Sequence, residues 1–533
     1  MCNVSKDGSV PDAYENETAA AFDEFFDVIV VGYGDAGAIA AIEAHDKGAH
    51  VLLIEKMPDP GGISICAGGG LRISNDREAA FTYLKATNGD TTPDDILRIF
   101  ADGMVDLETY VRSLAKVNDA EIALVEREAN YPFPGYRSFG FLEVRDIPGF
   151  DAANAYPHAR ASKGKPIFKL LEDNITSRGI EVRLATAAER LIAGPGKEVR
   201  GLQVRQNGVA RRIGARRGVV LACGGFEAAP DLQSEFWQLR PVLTAANLSN
   251  TGDGIRMAQD LGAKLWHMWH FHGSYGFRHP SPDFPFAIRV KRLPDWTPGT
   301  VRKPVQMSWI LVDRKGKRFA NEYEPYMQDT GHRALDVVDP QTQSYPYIPA
   351  FLIVDDDGRQ HYPLGHVVYN DRSVEPYAWS KDNLTEVENG ILKRADSIED
   401  LAKLIGADPA TLAETLALWN GAVEADRDEA FGRPSGTMVP VRRAPFYVGE
   451  IWPLVSNTQG GPVHDGRQRV LDSFDQPIPR LYEAGELGSI WGHLYLSGGN
   501  LSECFITGRI AGQEAGGNVP WVGHRAADSA ATV

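Results

Sequence analysis

The sequence predicts an α/β protein built around a dinucleotide-binding βαβ unit near its N-terminus. Residues 28–31 form a short β-branched run that is typical of a buried parallel strand. Three glycines follow with the spacing G-x-G-x-x-G and open an alanine-rich segment with helical character. A second apolar run, residues 51–54, ends at Glu55, where this fingerprint places an acid that binds a ribose hydroxyl.

Each glycine of the fingerprint has a physical task. Gly32 makes the tight turn, Gly34 lets the backbone approach a pyrophosphate, and Gly37 allows the helix to pack closely on the strand. The N-terminus of the helix then faces the phosphate charge. The unit predicts a dinucleotide but leaves open which one it is and what chemistry it serves.

Length and composition limit the remaining possibilities. A chain of 533 residues exceeds the usual size of a single core, so we expect at least two domains. The net charge of -16 argues against nucleic acid or an anionic membrane surface as a partner. Four scattered cysteines without a C-x-x-C pair exclude a disulfide framework and argue against a zinc or iron–sulfur site. The first residues lack the apolar core of a secretory signal and no apolar run could span a bilayer, so we expect a cytoplasmic protein without a membrane span.

Glycine-rich segments recur along the chain. Five glycines between residues 61 and 70 alternate with apolar side chains, which favours a loop that lies against a flat ligand rather than a floppy linker. Residues 218–225 read as a buried strand that runs into glycines, and residues 250–254 open a helix. From about Trp266 the chain becomes rich in aromatic residues, His and Pro, and the glycine-rich character returns near Phe446.

Three histidines in this shifted region, His267, His270 and His272, have a spacing that could suggest a metal site. No carboxylate or cysteine cluster accompanies them, so we expect them to line or support a substrate cavity and expect no metal. Arg278 and Arg289 could grip a substrate carboxylate, although arginines of this kind are more often exposed to solvent.

Eight motifs together make the chain resemble a known flavoprotein family. They are VVGYGDAGAIAAIEA, IEKMPDPGGISICAGGG, VVLACGGFE, NTGDGIRMAQDLGA, GKRFANE, the segment from SIEDLAKLIG to DEAFGR, TQGGPVHD and the C-terminal LYEAGELG…GGNLSECFITGRIAG. They span roughly residues 25–517 in the order found in fumarate reductase, the succinate dehydrogenase flavoprotein subunit and the 3-ketosteroid dehydrogenases.

The resemblance implies an α/β fold class with a Rossmann-type FAD-binding domain in two sequence segments and an inserted α+β substrate-capping domain. Its expected divisions are a flexible N-terminal segment at 1–24, the first FAD segment at 25–275, the capping domain at 276–445, the second FAD segment at 446–518 and a tail at 519–533. The composition shifts near Trp266 and Phe446 agree with such an insertion.

The resemblance also implies which residues contact FAD. They are Gly32, Gly34, Asp35, Ala36, Gly37, Glu55, Lys56, Gly61, Gly62, Ile63, Ser64, Gly68, Gly69, Ala188, Ala222, Gly224, Asn250, Asp253, Glu486, Asn500, Leu501 and Ser502. The last three would sit at the flavin end, where a helix N-terminus stabilises the charge of reduced flavin. Members with covalently attached FAD use a histidine that is absent between Met57 and Asn75 here, so we expect non-covalent FAD.

Two departures set this chain apart from fumarate reductases. In the stretch HG-x-N-R-x-GG-N of those enzymes an arginine grips the substrate carboxylate, but Tyr495 and Leu496 stand at the Asn-Arg pair here. The segment after R-F-x-N-E, which carries a proton-donating arginine in those enzymes, carries Tyr323 and Tyr326 instead.

Both departures resemble the 3-ketosteroid dehydrogenases. That resemblance implies that the Tyr495 hydroxyl and the Gly499 N–H polarise a substrate ketone, while Tyr326 takes the α-proton and the β-hydride passes to the flavin. Two donors on the carbonyl oxygen would stabilise enolate charge as an oxyanion hole does. Tyr131, in an N-Y-P-F-P-G loop, is a candidate relay partner of the base.

The expected function is therefore an FAD-dependent oxidoreductase that desaturates the α,β C–C bond next to a ring ketone. The substrate could be a 3-ketosteroid or a smaller ring such as a cyclohexanone or an oxocyclohexanecarboxylate. One alternative is an enone or unsaturated-acid reductase running the reverse reaction, and another is a subunit that passes electrons to a partner. The electron acceptor and the oligomeric state stay open.

Overall fold

The computed structural model describes residues 22–160, 163–291, 305–323 and 330–521. Most of the expected N-terminal segment and tail lies outside these ranges, and so does the candidate base Tyr326. Among the helices of the described ranges, none combines the length and the apolar character that crossing a bilayer requires.

The α-helices in the described part of the chain are mostly short. They are α1 Asp35–Asp46, α2 Arg77–Asn88, α3 Asp94–Leu114, α4 Gly164–Ser177, α5 Pro230–Phe236, α6 Asp253–Asp260, α7 Thr385–Glu388, α8 Ile398–Ile405, α9 Pro409–Glu424 and α10 Gly499–Gly517. Local sequence sets several of their starts. Helix α9 begins at Pro409, with Asp408 as its cap, because the Asp408 carboxylate accepts the Thr411 N–H at 2.8 Å.

The strands alternate with these helices in the FAD-binding segments and cluster in the middle of the chain. They are β1 Glu24–Val31, β2 Val51–Ile54, β3 Gly70–Ser74, β4 Glu121–Glu126, β5 Phe139–Asp146, β6 Ala159–Arg160, β7 Glu181–Arg183, β8 Thr186–Ala193, β9 Val199–Gln206, β10 Val209–Leu221, β11 Leu243–Thr244, β12 Leu265–Trp266, β13 Phe271–Arg278, β14 Ala287–Val290, β15 Ile310–Val312, β16 Ala350–Asp355, β17 Gly365–His366, β18 Tyr369–Asn370, β19 Leu392–Ala395, β20 Phe446–Thr458, β21 Gly461–Pro462, β22 Arg469–Leu471 and β23 Pro477–Glu483.

The first large sheet carries the dinucleotide-binding unit. Its main path runs β22-β23-β10-β1-β2-β7, and β23, β10, β1, β2 and β7 are parallel neighbours. Strands β8, β9 and the start of β10 form an antiparallel meander on the same sheet. Strand β23 comes from the C-terminal segment, so two separate parts of the sequence build one parallel sheet, and the expected Rossmann-type architecture in two segments is confirmed.

The second large sheet belongs to the inserted region. Its path runs β15-β16-β20-β13-β14-β17, with β11 and β19 also paired to β20. Strand β13 crosses the expected boundary at residue 275, and β20 begins at Phe446, where the second FAD segment was expected. We therefore propose that the capping domain extends from β13 through β20.

Helices α1 and α10 pack against each other at very short range. Gly508, Gly512 and Gly516 repeat every four residues along α10, so they lie on one face of that helix. A Cβ placed on Gly512 would lie 2.4 Å from the Ala40 carbonyl oxygen, and one on Gly508 would lie 2.7 Å from the Ala36 oxygen. This contact sets the middle of α10, at Gly508, against the start of α1, at Ala36, and so fixes how far the N-terminus of α10 extends beyond that of α1.

Candidate FAD and substrate site

A cavity of about 900 Å³ lies between the first large sheet and the second, which we call the capping sheet. One wall is formed at the carboxyl ends of four parallel strands, by Val31, Ile54, Ala222 and Ala484. Open α/β sheets bind ligands at this edge. The other wall comes from the capping strands β13, β14, β17 and β20.

Most of the residues expected to contact FAD line this cavity. They are Gly32, Gly34, Asp35, Ala36, Glu55, Lys56, Gly62, Ile63, Ser64, Gly68, Ala188, Ala222, Gly224, Asn250, Asp253, Glu486, Asn500 and Leu501. The expected contacts Gly37, Gly61, Gly69 and Ser502 are not among its lining residues. Each of the four is next in sequence to a lining residue. The Ser502 hydroxyl donates to the Arg72 carbonyl oxygen at 2.7 Å.

The fingerprint glycines have the geometry that their spacing predicts. Gly32 has φ +104°, and a Cβ there would lie 2.4 Å from the Ala222 oxygen, so only glycine fits the turn. A Cβ on Gly37 would lie 1.8 Å from the Gly32 oxygen, which shows how closely α1 packs on the turn. Gly34 instead faces the cavity, and its nearest neighbour would be the Ser64 hydroxyl at 3.3 Å.

The glycines of the loop that follows leave open space. A Cβ on Gly68 would meet no atom within 4 Å, and one on Gly62 would meet only the Gly34 Cα at 3.8 Å. Both residues line the cavity. Bare backbone beside a helix N-terminus is the arrangement that cradles a pyrophosphate, so the residues present fit a bound dinucleotide.

Glu55 is held by backbone amides at the end of β2. Its carboxylate oxygens accept the N–H groups of Tyr33 and Met57, both at 2.9 Å. Burial raises its pKa, and these two hydrogen bonds and the neighbouring Lys56 oppose that shift. The Lys56 ammonium binds the Asp253 carboxylate at 2.7 Å and the Thr251 hydroxyl at 2.8 Å. Together they form the polar wall at which the fingerprint places the adenosine ribose.

Asp35, the first residue of α1, is an acid buried at the cavity. Its side chain is 1% exposed, and neither carboxyl oxygen has a hydrogen-bond partner among the described residues. Burial raises the pKa of this carboxyl to about 7, because charge would have to lie in a poorly solvated space. Asp35 therefore keeps its proton to a much higher pH than an ordinary aspartate does.

A second buried acid cluster lies beside the cavity at Glu486. The Asn250 amide donates to Glu227 at 2.9 Å and to Glu486 at 3.4 Å, and Glu486 accepts the Thr458 N–H at 2.8 Å. Burial raises the pKa of Glu486 to about 7 and that of Glu227 well above its ordinary range, the latter also through repulsion from Glu486. The pair therefore keeps at least one proton near neutral pH.

The start of α10 forms the end of the cavity that the sequence assigns to the flavin. Asn500 and Leu501, in the first turn of α10, line it, and its cap Gly498 has the left-handed φ of +82°. The helix dipole at such a terminus favours negative charge. The side of the cavity at α10 can therefore stabilise a ring that becomes negative on reduction.

Tyr495 lines the same end of the cavity and is positioned by the loop that leads into α10. Its hydroxyl oxygen accepts the N–H of Gly498 at 3.1 Å and that of Asn500 at 3.4 Å. Its ring packs on the His272 ring, with the centroids 4.3 Å apart, and the His272 Nδ1 lies 2.9 Å from the Asn457 amide oxygen. Since the hydroxyl oxygen already accepts two donors, its own proton is directed elsewhere.

Two further candidate catalytic residues, Gly499 and Tyr131, are not among the residues that line the cavity. The Gly499 N–H donates to the Leu496 carbonyl oxygen at 2.7 Å, and Gly499 does not line the cavity. Tyr131 is 4% exposed and also absent from the lining, although its neighbour Asn130 accepts the Ser497 N–H at 3.1 Å in the loop of Tyr495. Their proposed roles, like that of Tyr326, stay predictions.

The histidines His267, His270 and His272 do not converge on one point. The first two bind the carbonyl oxygens of Ser489 and Trp491, at 2.8 and 2.7 Å, whereas His272 lines the cavity. Among the described residues no group of His, Cys, Asp and Glu side chains could hold a metal ion. His267 and His270 therefore contact the loop before Tyr495, and a role in supporting the substrate cavity stays a prediction.

The sequence alone did not assign a group of basic residues to the cavity. Arg127, Lys163, Lys291 and His366 line it together with Arg289, which the sequence analysis names as a candidate carboxylate ligand. They come from four separate parts of the chain, so no local motif marks them. One signal was present: Arg289 and Lys291 alternate with Ile288 and Val290, which predicts a strand with one apolar and one basic face.

Comparison with known proteins agrees with this geometry. The family model described as "FAD binding domain" matches residues 27–501. The chain is 28% identical to the NADH:fumarate oxidoreductase of Klebsiella pneumoniae over 92% of its own length, although it spans only 47% of that protein. It is 26% identical to the 3-oxosteroid 1-dehydrogenase of Mycolicibacterium smegmatis, over 91% of this chain and 96% of the other.

A solved structure shares the architecture over nearly its whole length. The 3-ketosteroid Δ1-dehydrogenase of Sterolibacterium denitrificans, in complex with 1,4-androstadiene-3,17-dione, superposes with a TM-score of 0.75 at 25% identity, over 92% of this chain and 99% of the other. The parallel sheet, the glycine cradle and the family match together lead to one conclusion. The chain belongs to the FAD binding domain family and is an FAD-dependent oxidoreductase related to fumarate reductases and 3-ketosteroid dehydrogenases.

Proposed function

We propose that this flavoprotein desaturates the α,β C–C bond of a cyclic ketone. The observation that carries the proposal is the Tyr495 hydroxyl, which lies at the cavity wall with two backbone N–H groups on its oxygen. Hydrogen bonds accepted by a hydroxyl polarise it and strengthen the bond that it donates. Tyr495 is therefore a suitable donor to a substrate carbonyl oxygen.

The reaction requires an acidified α C–H bond. A donor on the ketone oxygen stabilises the enolate charge that develops when the α-proton leaves. Tyr326 is proposed as the base that takes this proton, and Tyr131 as its relay partner. A tyrosine with an ordinary pKa of about 10 needs such a relay or a lowered pKa to act near neutral pH. FAD, when bound, supplies the acceptor for the β-hydride.

Gly499 has a more limited place in this proposal. Because its N–H donates to the Leu496 oxygen, it can serve as the second donor to the ketone only when the substrate replaces that hydrogen bond.

We also propose that the FAD is held without a covalent bond. No histidine lies between Met57 and Asn75, where covalent members of the family carry one. Cys66 lines the cavity in this segment, but burial raises the pKa of its thiol to about 12, so it carries no thiolate for attachment at neutral pH. The cofactor would instead be held by backbone contacts, from Gly34, Gly62, Gly68 and the start of α1.

The names of the relatives are compatible with either direction of hydrogen transfer, since one is a fumarate oxidoreductase and two are steroid dehydrogenases. The desaturase direction is favoured because Leu496 stands where fumarate reductases place the carboxylate-binding arginine. Leu496 is fully buried and lies in the core, so it offers no charge to a dicarboxylate.

Phenylalanine variants test the proposal. Tyr495→Phe and Tyr326→Phe remove one hydroxyl each, and we expect kcat for ketone desaturation to fall by about 10²–10³, the usual effect of losing an oxyanion donor or a proton-transfer group. FAD content, measured in the supernatant after acid precipitation, should stay that of the wild type.

Tyr345→Phe is the matched control, because Tyr345 is a partly buried capping-domain tyrosine outside the cavity lining. Its kcat should not change. Full desaturase activity in both Tyr495→Phe and Tyr326→Phe, with full FAD content, would show that the roles are wrongly assigned.

A further inference from the structure

The glycine loop at the cavity has open backbone donors and an occupied backbone acceptor. Within the described residues the N–H groups of Gly62 and Ile63 donate to no acceptor, and both residues line the cavity. Gly62 has the left-handed φ of +48° and Ile63 a φ of -76°. Successive N–H groups in such a turn form a nest for an anion. The Gly62 carbonyl oxygen, in contrast, accepts a hydrogen bond from the Asn370 side-chain amide at 2.8 Å.

The planarity of the peptide connects this hydrogen bond to the open donors. In a trans peptide the C=O of one residue and the N–H of the next point in opposite directions. Asn370, which holds the Gly62 oxygen, is not among the residues that line the cavity. The bond therefore directs the Ile63 N–H away from Asn370. Without it the peptide is easier to rotate, because Gly62 has no side chain to restrict its backbone.

Asn370 reaches the glycine loop from the inserted region of the chain. It belongs to β18, which pairs with β6 of the first FAD segment, so that Asn370 lies opposite Ala159 and Tyr369 opposite Arg160. On its other side the Asn370 N–H donates to the Ala246 carbonyl oxygen at 2.8 Å. Asn370 is buried between these neighbours. Its amide is thus held in place by backbone on both sides of β18.

The residue before Asn370 anchors β18 in the apolar core of the inserted region. Tyr369 is buried, and its ring stacks on the Phe286 ring with the centroids 4.9 Å apart. The Phe284 ring contacts it edge-on at 5.6 Å. Successive side chains of a strand point to opposite faces, so Tyr369 faces this core while Asn370 faces the loop. A shift of the capping domain therefore moves Asn370 with it.

A second contact ties the same two segments together. The Arg372 guanidinium pairs with both carboxylate oxygens of Asp59, three residues before Gly62. The Arg372 side chain is exposed, and exposed ion pairs contribute little to stability. The hydrogen bond from the buried Asn370 is therefore the main link, and the ion pair assists it.

We propose that Asn370 is a positioning residue for FAD, which fixes the Gly62–Ile63 peptide from the capping domain and couples the seating of that domain to retention of the cofactor. Asn370 acts through Gly62, and the backbone of the glycine loop makes the contacts with the dinucleotide. Neither the substrate nor the direction of hydrogen transfer enters this role, so it goes beyond the proposed function.

The rate of FAD release from the holo-protein tests this role without turnover. Holo-protein is diluted into flavin-free buffer, and the rise in flavin fluorescence gives the rate. Asn370→Asp keeps the shape of the side chain but replaces the donating amide with a carboxylate, which repels the Gly62 oxygen. We expect release to become about tenfold faster or more, because the partly buried oxygen loses its donor.

Asn420→Asp is the matched control. Asn420, in α9 of the inserted region, also donates its side-chain amide to a backbone carbonyl, that of Val441 at 2.9 Å, and it lies outside the cavity lining. Its loss should lower the thermal unfolding midpoint and leave the rate of FAD release unchanged. The two variants thereby separate a weaker capping domain from a misplaced loop.

The ion pair supplies an independent arm of the test, which also serves if Asn370→Asp does not fold. Arg372→Gln and Asp59→Asn should each speed FAD release about two- to fivefold at low salt, as expected for an exposed pair. The double variant should release FAD no faster than the faster single variant, because both substitutions break the same contact.

Three results would overturn the proposal. The first is release from Asn370→Asp at the wild-type rate. The second is equal acceleration in Asn420→Asp, which would mean that any lost hydrogen bond of the capping domain loosens FAD. The third is a cycle at Arg372 and Asp59 in which neither substitution changes the rate or in which their effects add fully.

Discussion

Asp35 combines a buried position with a side chain that has no hydrogen-bond partner among the described residues. Burial raises its pKa from 3.8 to about 7 in the folded protein. The unfolded chain therefore loses this proton near pH 4, whereas the folded protein keeps it until about pH 7. The contribution of Asp35 to folding stability is greatest below pH 4 and is lost as the pH rises towards 7.

The substitution Asp35→Asn keeps the shape of the side chain and removes its ionisable group. We expect the free energy of unfolding of the wild type, minus that of the variant, to fall by about 1.4 kcal/mol per pH unit between pH 5 and pH 6.5. This difference should level off above pH 7. Urea unfolding of both holo-proteins over this pH range measures the difference. A difference that does not change with pH would mean that Asp35 is ionised in the folded protein.

At the scale of elements, the contact between α1 and α10 positions both helix N-termini that face the cavity. Gly512→Ala places a methyl group 2.4 Å from the Ala40 oxygen, so the helices have to move apart. Such overpacking costs about 1–3 kcal/mol. We expect a lower thermal unfolding midpoint and weaker retention of FAD, because α10 carries Asn500 and Leu501 to the cavity wall.

Gly517→Ala is the control for this prediction. Gly517 is the last residue of α10, and a Cβ there would meet no atom within 4 Å. Its thermal midpoint and FAD content should equal or slightly exceed those of the wild type, since alanine favours a helix. Equal behaviour of the two variants would mean that the close contact does not constrain the site.

The capping sheet shows where reasoning from sequence stopped. The alternation of Ile288, Arg289, Val290 and Lys291 indicates a strand with one basic face. The direction in which that face points depends on how β14 pairs with β13, the strand just before it, and with β17, a strand much further along the chain. A shift of one residue in this register would turn the basic side chains away from the cavity.

At the scale of the whole molecule, the fold was predictable because its strongest signals are local. The fingerprint places Gly32, Gly34 and Glu55 within one βαβ unit, and the spacing alone specifies their tasks. Lys56 and Asp253 meet only because the sheet brings residues almost two hundred positions apart to one edge. The engagement of the Gly499 N–H with Leu496 is likewise a property of the folded loop, and no pattern of residue types reveals it.

The direction of hydrogen transfer is the central claim about the whole molecule. A ketone desaturase takes a hydride from the saturated substrate, so mixing oxidised holo-protein with a saturated ring ketone should reduce the flavin. A reductase of enones or unsaturated acids would instead reoxidise flavin that has been reduced beforehand. Both enzymes would contain FAD in the same fold, so only the reaction distinguishes them.

The most direct measurement is anaerobic stopped-flow absorbance of the flavin after mixing with 4-oxocyclohexane-1-carboxylate and, separately, with 4-androstene-3,17-dione. The account predicts that at least one of these ketones, each of which has a saturated α,β C–C bond beside its carbonyl group, bleaches the oxidised flavin band in a single turnover and that Tyr495→Phe slows this step by about 10²–10³. Oxidised flavin that stays unchanged with both ketones, while reduced flavin is rapidly reoxidised by fumarate or an enone, would contradict it.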